Sequence, residues 1–271
     1  MPPEATLAIL PPPVPGAPPR PRVPRPERWT LENGLRVVAL PKHSIPQVVL
    51  RLVIPAGGAS DPRGHPGTAS LVAHLLTEGT QSMSADELNA RLDLLGAAMH
   101  ASVGHDFAEV EAVLLSETLA EGIALLAEVA TRPSFPEAET ERVRAESLDA
   151  LIAREDEPAN VADDRAALEV FGAAHPYGHP SFGTPEGIRT VPREALAAFH
   201  AAHYRPRGGF LVVSGDFDSA ELRAGLDAAF AGWAGDAPRL GYPAGAPSPA
   251  RAGEPVVVPW EDAAQSEIRI A

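Results

Sequence analysis

No stretch of this chain leaves fewer choices of fold than Gly67–Thr80, which reads GTASLVAHLLTEGT. Its middle is an apolar, helix-permissive run, with Gly64, Pro66 and Gly67 before it and Gly79 after it, so a short helix is expected. On that helix Ser70, Ala73, His74 and Thr77 fall at i, i+3, i+4 and i+7, which is one face. Leu71, Val72, Leu75 and Leu76 cover the remainder. A helix apolar nearly all round belongs in the interior. Its one face of small and polar residues is where a site would be built, or dismantled.

The flanking segments say what surrounds such a helix. Residues 1–26 are dominated by Pro with scattered Arg and read as an extended, disordered arm without a core. WTLENGLRVVALP supplies two short β runs about Glu32-Asn33-Gly34, a hairpin signal. Gln47–Gly57 alternates as a mostly buried strand. Ser84 with Glu87 is a capping-box pattern that opens a helix through Leu95, stopped by Gly96. AMHASVGHD and FAEVEAVLLS read as paired strands about Gly104–Asp106. Ser116 opens a helix to about Arg132, with Leu119, Ile123, Leu126 and Ala130 at helical spacing. Pro136 starts a long charged helix over Glu137–Glu155, and Pro158 starts another through Phe171. AAHPYGHPSFGTPEGI reads as a loop. A helix follows from Pro192 through His203, then a strand over Gly209–Phe217 and an amphipathic helix over Ser219–Trp233. Residues 234–253 are a Pro/Gly/Ala-rich linker, and PVVVP and QSEIRIA are two more β runs within 254–271. The order predicts an α+β fold over 27–233, a mainly antiparallel sheet covered by helices.

Composition narrows the partners. At 271 residues the chain can bury a sizeable core. A formal net charge of -14 argues against nucleic acid or an anionic membrane. The absence of cysteine excludes disulfides and thiolate metal sites. The first residues lack the basic and apolar regions of a secretory signal, and no later run is long enough for membrane insertion. A cytoplasmic protein is expected, or a periplasmic one if the true N-terminus lies upstream.

The Gly67–Thr80 stretch resembles the metal-binding helix of the pitrilysin/insulinase-type zinc metallopeptidases, the inverted-motif family that includes the mitochondrial processing peptidases. Active members carry H-x-x-E-H there, between a Gly-x-Ala and a Gly-Thr. Two His one turn apart ligate zinc, and the Glu acts as general base on the zinc-bound water. The frame is present here as Gly67, Ala69, Gly79 and Thr80, and the second His as His74. The first His is replaced by Ser70, a poor zinc ligand, and the Glu by Ala73, which cannot take a proton. Leu94-Leu95-Gly96-Ala97, Thr131-Arg132-Pro133, His175-Pro176-Tyr177-Gly178 and Gly183-Thr184 fall in the family's order, so the resemblance covers about 27–271. Family members consist of two such halves joined by a linker. That implies a half-module here, with 254–271 opening a second, truncated half, and a chain that is a fragment or truncated product.

The resemblance also places a third ligand, a Glu, on the helix that contains ERVRAESLDALIARED, where Glu146 is the matching candidate. The plainer reading makes Glu146 one charge on a solvated helix face. Even in place, His74 and Glu146 are two ligands where catalytic zinc uses three. Surrogates by sequence are Glu78, His65, His100, His105, His175 and His179, and for each His a hydrogen-bonded structural role competes. No catalytic residue and no cofactor is therefore expected in this chain. The resemblance implies a non-catalytic subunit that pairs with a zinc-bearing subunit of the same family and helps bind an extended peptide substrate. A structural or assembly subunit is the alternative, and a zinc endopeptidase with an atypical metal site is a further one.

Overall fold

The computed structural model describes residues 16, 24–239, 241, 255–260 and 264–270. The expected Pro-rich arm, apart from residues 16 and 24–26, and most of the linker lie outside them. Six strands, β1 (Glu27–Thr30), β2 (Arg36–Pro41), β3 (Gln47–Ile54), β4 (Ala98–Val103), β5 (Ala108–Leu115) and β6 (Phe210–Gly215), form one sheet. Its order is β1-β2-β6-β3-β5-β4, and every pairing is antiparallel except β2 with β6. Parallel neighbours need a long crossover, and the chain between β2 and β6 supplies it.

Alternation decides which face is covered. Val48, Leu50 and Leu52 of β3 and Val110, Ala112 and Leu114 of β5 are buried on one side. On the other, Arg51 bonds both Glu109 and Glu111 across the strands. The helices are α1 (Thr68–Leu75), α2 (Ala85–Leu94), α3 (Leu119–Thr131), α4 (Glu137–Glu155), α5 (Pro158–Phe171), α6 (Pro185–Thr190), α7 (Arg193–His203) and α8 (Ser219–Phe230). Among the described residues no helix is long and apolar enough to cross a membrane.

The central helix is α1, which lies against β4 and β5 with α4 and α7 on its other sides. All its residues except His74 are buried. Gly67 caps it at φ +104°, and a Cβ there would meet Ile188 Cδ1 at 2.5 Å, so both backbone and space require glycine. The Asp61 carboxylate accepts from the amides of Gly67 at 2.6 Å and Ala69 at 2.7 Å. Burial pushes the Asp61 carboxyl up to about 7, while those two amides pull the other way.

Two expectations are corrected. The segment after α5 is not all loop: a 3-10 turn covers Pro176–Gly178, and α6 begins where Thr184 Oγ1 accepts from the Gly187 amide at 3.2 Å. Thr184 with Pro185 is an N-terminal helix signal that the surrounding Gly and Pro concealed. The β runs PVVVP and QSEIRIA form no strands in residues 255–260 and 264–270. A strand exists through its ladder bonds, and Arg269 instead pairs with Asp163 and donates to the Ala159 carbonyl at 3.2 Å.

His200 on α7 is buried, its Nε2 lies 3.0 Å from the Ala130 carbonyl, and its ring stacks on Tyr204 with centroids 4.6 Å apart. Burial lowers its pKa from 6.5 to about 4. The folded value lies below the unfolded one, so the stability gained from the neutral ring is present above pH 6.5 and is lost as pH falls towards 4. At about 1.4 kcal/mol per pKa unit the loss approaches 3 kcal/mol. Urea unfolding at pH 7 and pH 4 checks this: His200→Gln should lose measurably less stability than the wild type over that interval. Equal losses would remove His200 as the cause.

Candidate functional site

Beside α1 is a cleft of about 380 Å³. His74 and Thr77 enter it from α1 and the turn that follows, Glu78 from the end of that turn, Met99, His100 and Ala101 from β4, and Val143, Glu146, Ser147 and Ala150 from α4. Helical spacing brings those four α4 residues to one face, and Glu146 is the acid among them. His74 and Glu146 therefore share a cleft. Ser70 and Ala73 do not open to it in the same way: Ser70 is 2% exposed and Ala73 is fully buried.

The charge in the cleft is organised by Arg142, a residue that motif comparison passes over. Its Nε bonds Glu139 at 2.7 Å, its Nη1 bonds Glu146 at 2.8 Å, and its Nη2 pairs with Glu78. These bonds, Glu139 foremost, raise the Arg142 pKa further above its already high value. Glu139 and Glu146 lie at i-3 and i+4 from Arg142, so half of this network is written in α4. Its link to Glu78 crosses from α4 to the turn after α1. With the Arg142 side chain 43% exposed, each pair contributes little to stability.

His74 faces the same field. Although the residue opens to the cleft, protein packed around the imidazole lowers its pKa from 6.5, and the charges of Glu146 and Glu78 oppose that shift. The neutral ring offers one nitrogen to a metal. A catalytic zinc needs three protein ligands with a position left open. Here the two carboxylates whose charges act on His74 are engaged by a guanidinium. No group of three or more His, Asp or Glu in a metal-holding arrangement occurs among the described residues. The residues present do not fit a catalytic zinc.

The remaining surrogates are scattered. His65 Nδ1 lies 3.4 Å from Thr190 Oγ1. His100, on β4, has Nδ1 4.0 Å from Glu111 on β5. His105 Nε2 lies 3.0 Å from the His179 carbonyl, and His175 Nδ1 accepts from the Tyr177 amide at 3.1 Å. His179 Nδ1 lies 3.2 Å from the Pro180 carbonyl. Each is tied locally; His100 lines the His74 cleft, and His65, His105, His175 and His179 do not.

Comparison with known proteins adds the following. Residues 36–175 match the family described as Insulinase (Peptidase family M16), and residues 190–271 match the one described as Peptidase M16 inactive domain. An uncharacterized zinc protease of Rickettsia bellii (strain RML369-C) is 24% identical over 192 residues, 71% of this chain and 46% of that protein. A probable mitochondrial-processing peptidase subunit beta of Schizosaccharomyces pombe is 27% identical over 205 residues, 74% of this chain and 44% of that protein. A solved peptidase M16 inactive domain from Pseudomonas fluorescens superposes with a TM-score of 0.75 at 25% identity, covering 79% of this chain and 52% of that one. The chain thus spans about half the length of the relatives it matches.

The electrostatics of the cleft make a direct prediction. Glu146 raises the His74 pKa and burial lowers it, so Glu146→Gln should lower it further. Titration of the His74 ring signals by NMR in both proteins reads the shift. An unchanged or raised value in the variant would contradict the assignment.

Proposed function

The chain belongs to the insulinase, or pitrilysin-type, peptidase family, and on that premise we propose that it is a member without a metal centre of its own. It holds an extended peptide while a zinc-bearing subunit of the same family supplies the cleaving centre. The observation that carries this reading is the Arg142 network. Glu146 and Glu78, the acids beside His74, are bound to a positive charge, where a dication would have to approach. Ser70 offers a hydroxyl in place of an imidazole, and Ala73 offers no proton acceptor at all.

Peptide holding has support of its own. β4 is a border strand of the sheet, and its residues alternate between exposed and half-buried. An extended peptide laid along such an edge gains main-chain hydrogen bonds that tolerate varied sequences. The His74 cleft opens beside Met99, His100 and Ala101 of that strand and receives side chains from it. The chain's negative charge favours basic peptides as they approach.

The test is an equimolar mixture with a family member bearing an intact H-x-x-E-H, assayed on an extended fluorogenic peptide. Cleavage should run at least about tenfold faster than with that member alone, a change of about 1.4 kcal/mol in the barrier. Replacing the Glu of the added member's motif should abolish it. A mixture no faster than the zinc-bearing subunit alone would overturn the proposal.

A further inference from the structure

The sheet has a second face, opposite the one the helices cover. Strand register carries it across the molecule: Arg36 pairs with Phe210, Phe210 with Val53, Val53 with Glu109 and Glu109 with Ser102, which makes one row. Further along, Arg28, Val38, Val212, Arg51, Glu111 and His100 make the next row on the same side. On the covered side Leu50, Ala112 and Val213 are fully buried. On this one Val38, Leu40, Val49, Val113, Phe210 and Val212 are partly exposed. A sheet face that only meets water carries polar residues. An apolar patch spread over β2, β3, β5 and β6 marks a surface that another molecule covers.

Charge on this face has a direction. Arg28 on β1 and Arg36 on β2 are exposed towards one border, and the Arg36 guanidinium lies over the Phe210 ring, 5.9 Å from its centroid. Towards the other border β5 brings Glu109 and Glu111. Arg51 of β3 bonds both, so one cation serves two anions and that side stays negative. A partner of one sign would meet its own sign on half of the face. A partner with the same surface, turned over, does not. Read inward from its two borders, the sheet runs β1, β2, β6 and β4, β5, β3. A two-fold axis parallel to the strands, between β6 and β3, therefore sets β2 of one copy over β5 of the other. Arg36 then faces the partner's Glu109, Leu40 faces the partner's Val113, and Phe210 faces the partner's Val53.

We propose that a second copy of this chain covers the open face of the sheet, in a two-fold dimer that packs sheet on sheet with β2 of each copy over β5 of the other. The size of the face suits this. Its strands run from four residues in β1 to eight in β3 and β5. At about 4.8 Å between strands and about 3.3 Å per residue, the face covers roughly 600 Å². Two such faces together bury about 1,200 Å², where stable specific interfaces begin. Sheets packed in this way keep their strands within about 30° of each other. Face packing leaves the backbone groups along the outer edge of β4 free, so the inference goes beyond the peptide-holding reading and does not depend on it.

Sedimentation equilibrium of the full chain tests this. At about 10 μM the wild type should sediment at twice the chain mass. Val212→Glu, which puts a charge near the axis, should leave a monomer with an unchanged circular dichroism spectrum. Arg36→Glu and Glu109→Arg should each weaken the dimer about tenfold, and together should restore it to within about threefold of the wild type. A folding defect cannot produce that rescue. A monomer at every concentration up to about 100 μM would overturn the proposal, and so would a dimer that these variants do not alter. A monomer whose Arg36→Glu variant no longer accelerates the zinc-bearing subunit would overturn it in favour of that subunit as the occupant of the face.

Discussion

Everything in this fold is arranged around a helix that has no solvent face to spare. Seven of the eight residues of α1 are buried, so its first amides cannot turn to water and must find partners in the protein. Asp61 supplies them, one oxygen to Gly67 and the other to Ala69. Gly67 makes the approach feasible, because Ile188 and the Phe182 carbonyl crowd the place where a side chain would stand. The sheet, α4 and α7 then close on the helix. One residue is left looking outward, and that residue is His74.

That exposure gives the cleft its character. The His74 imidazole, partly desolvated, stands near two acids, and those acids are bound to Arg142. One guanidinium there is shared by three carboxylates, Glu78, Glu139 and Glu146, so the border of the cleft keeps a net negative charge. The guanidinium joins α4 to the turn after α1, while Ser70 and Ala73, which stand where the family's motif has a ligand and a general base, sit in the packed interior.

Much of the fold was legible because its signals are local. The capping box at Ser84 and Glu87 forms with both of its bonds, α4 begins directly after Pro136, and the alternation of β3 and β5 decides which face is buried. The insertion of β6 between β2 and β3 was not legible, since strand order depends on long-range pairing that no local pattern encodes. α6 was missed because Thr184-Pro185 lies within a run of Gly and Pro that reads as loop. PVVVP and QSEIRIA form no ladder among the described residues, since β-rich composition becomes a strand only where a neighbouring strand bonds to it. At the site, Ser70, Ala73 and His74 stood out through the frame around them. The Arg142 network did not, because its decisive bond to Glu78 spans 64 positions.

The central claim is that the cleft beside α1 does not hold a catalytic zinc, and metal content tests it most directly. The purified chain, dialysed against metal-free buffer after exposure to zinc, would be analysed by inductively coupled plasma mass spectrometry. The account predicts far less than one zinc per chain, with no difference between the wild type and His74→Ala. One tightly held zinc per chain, lost in His74→Ala, would contradict it.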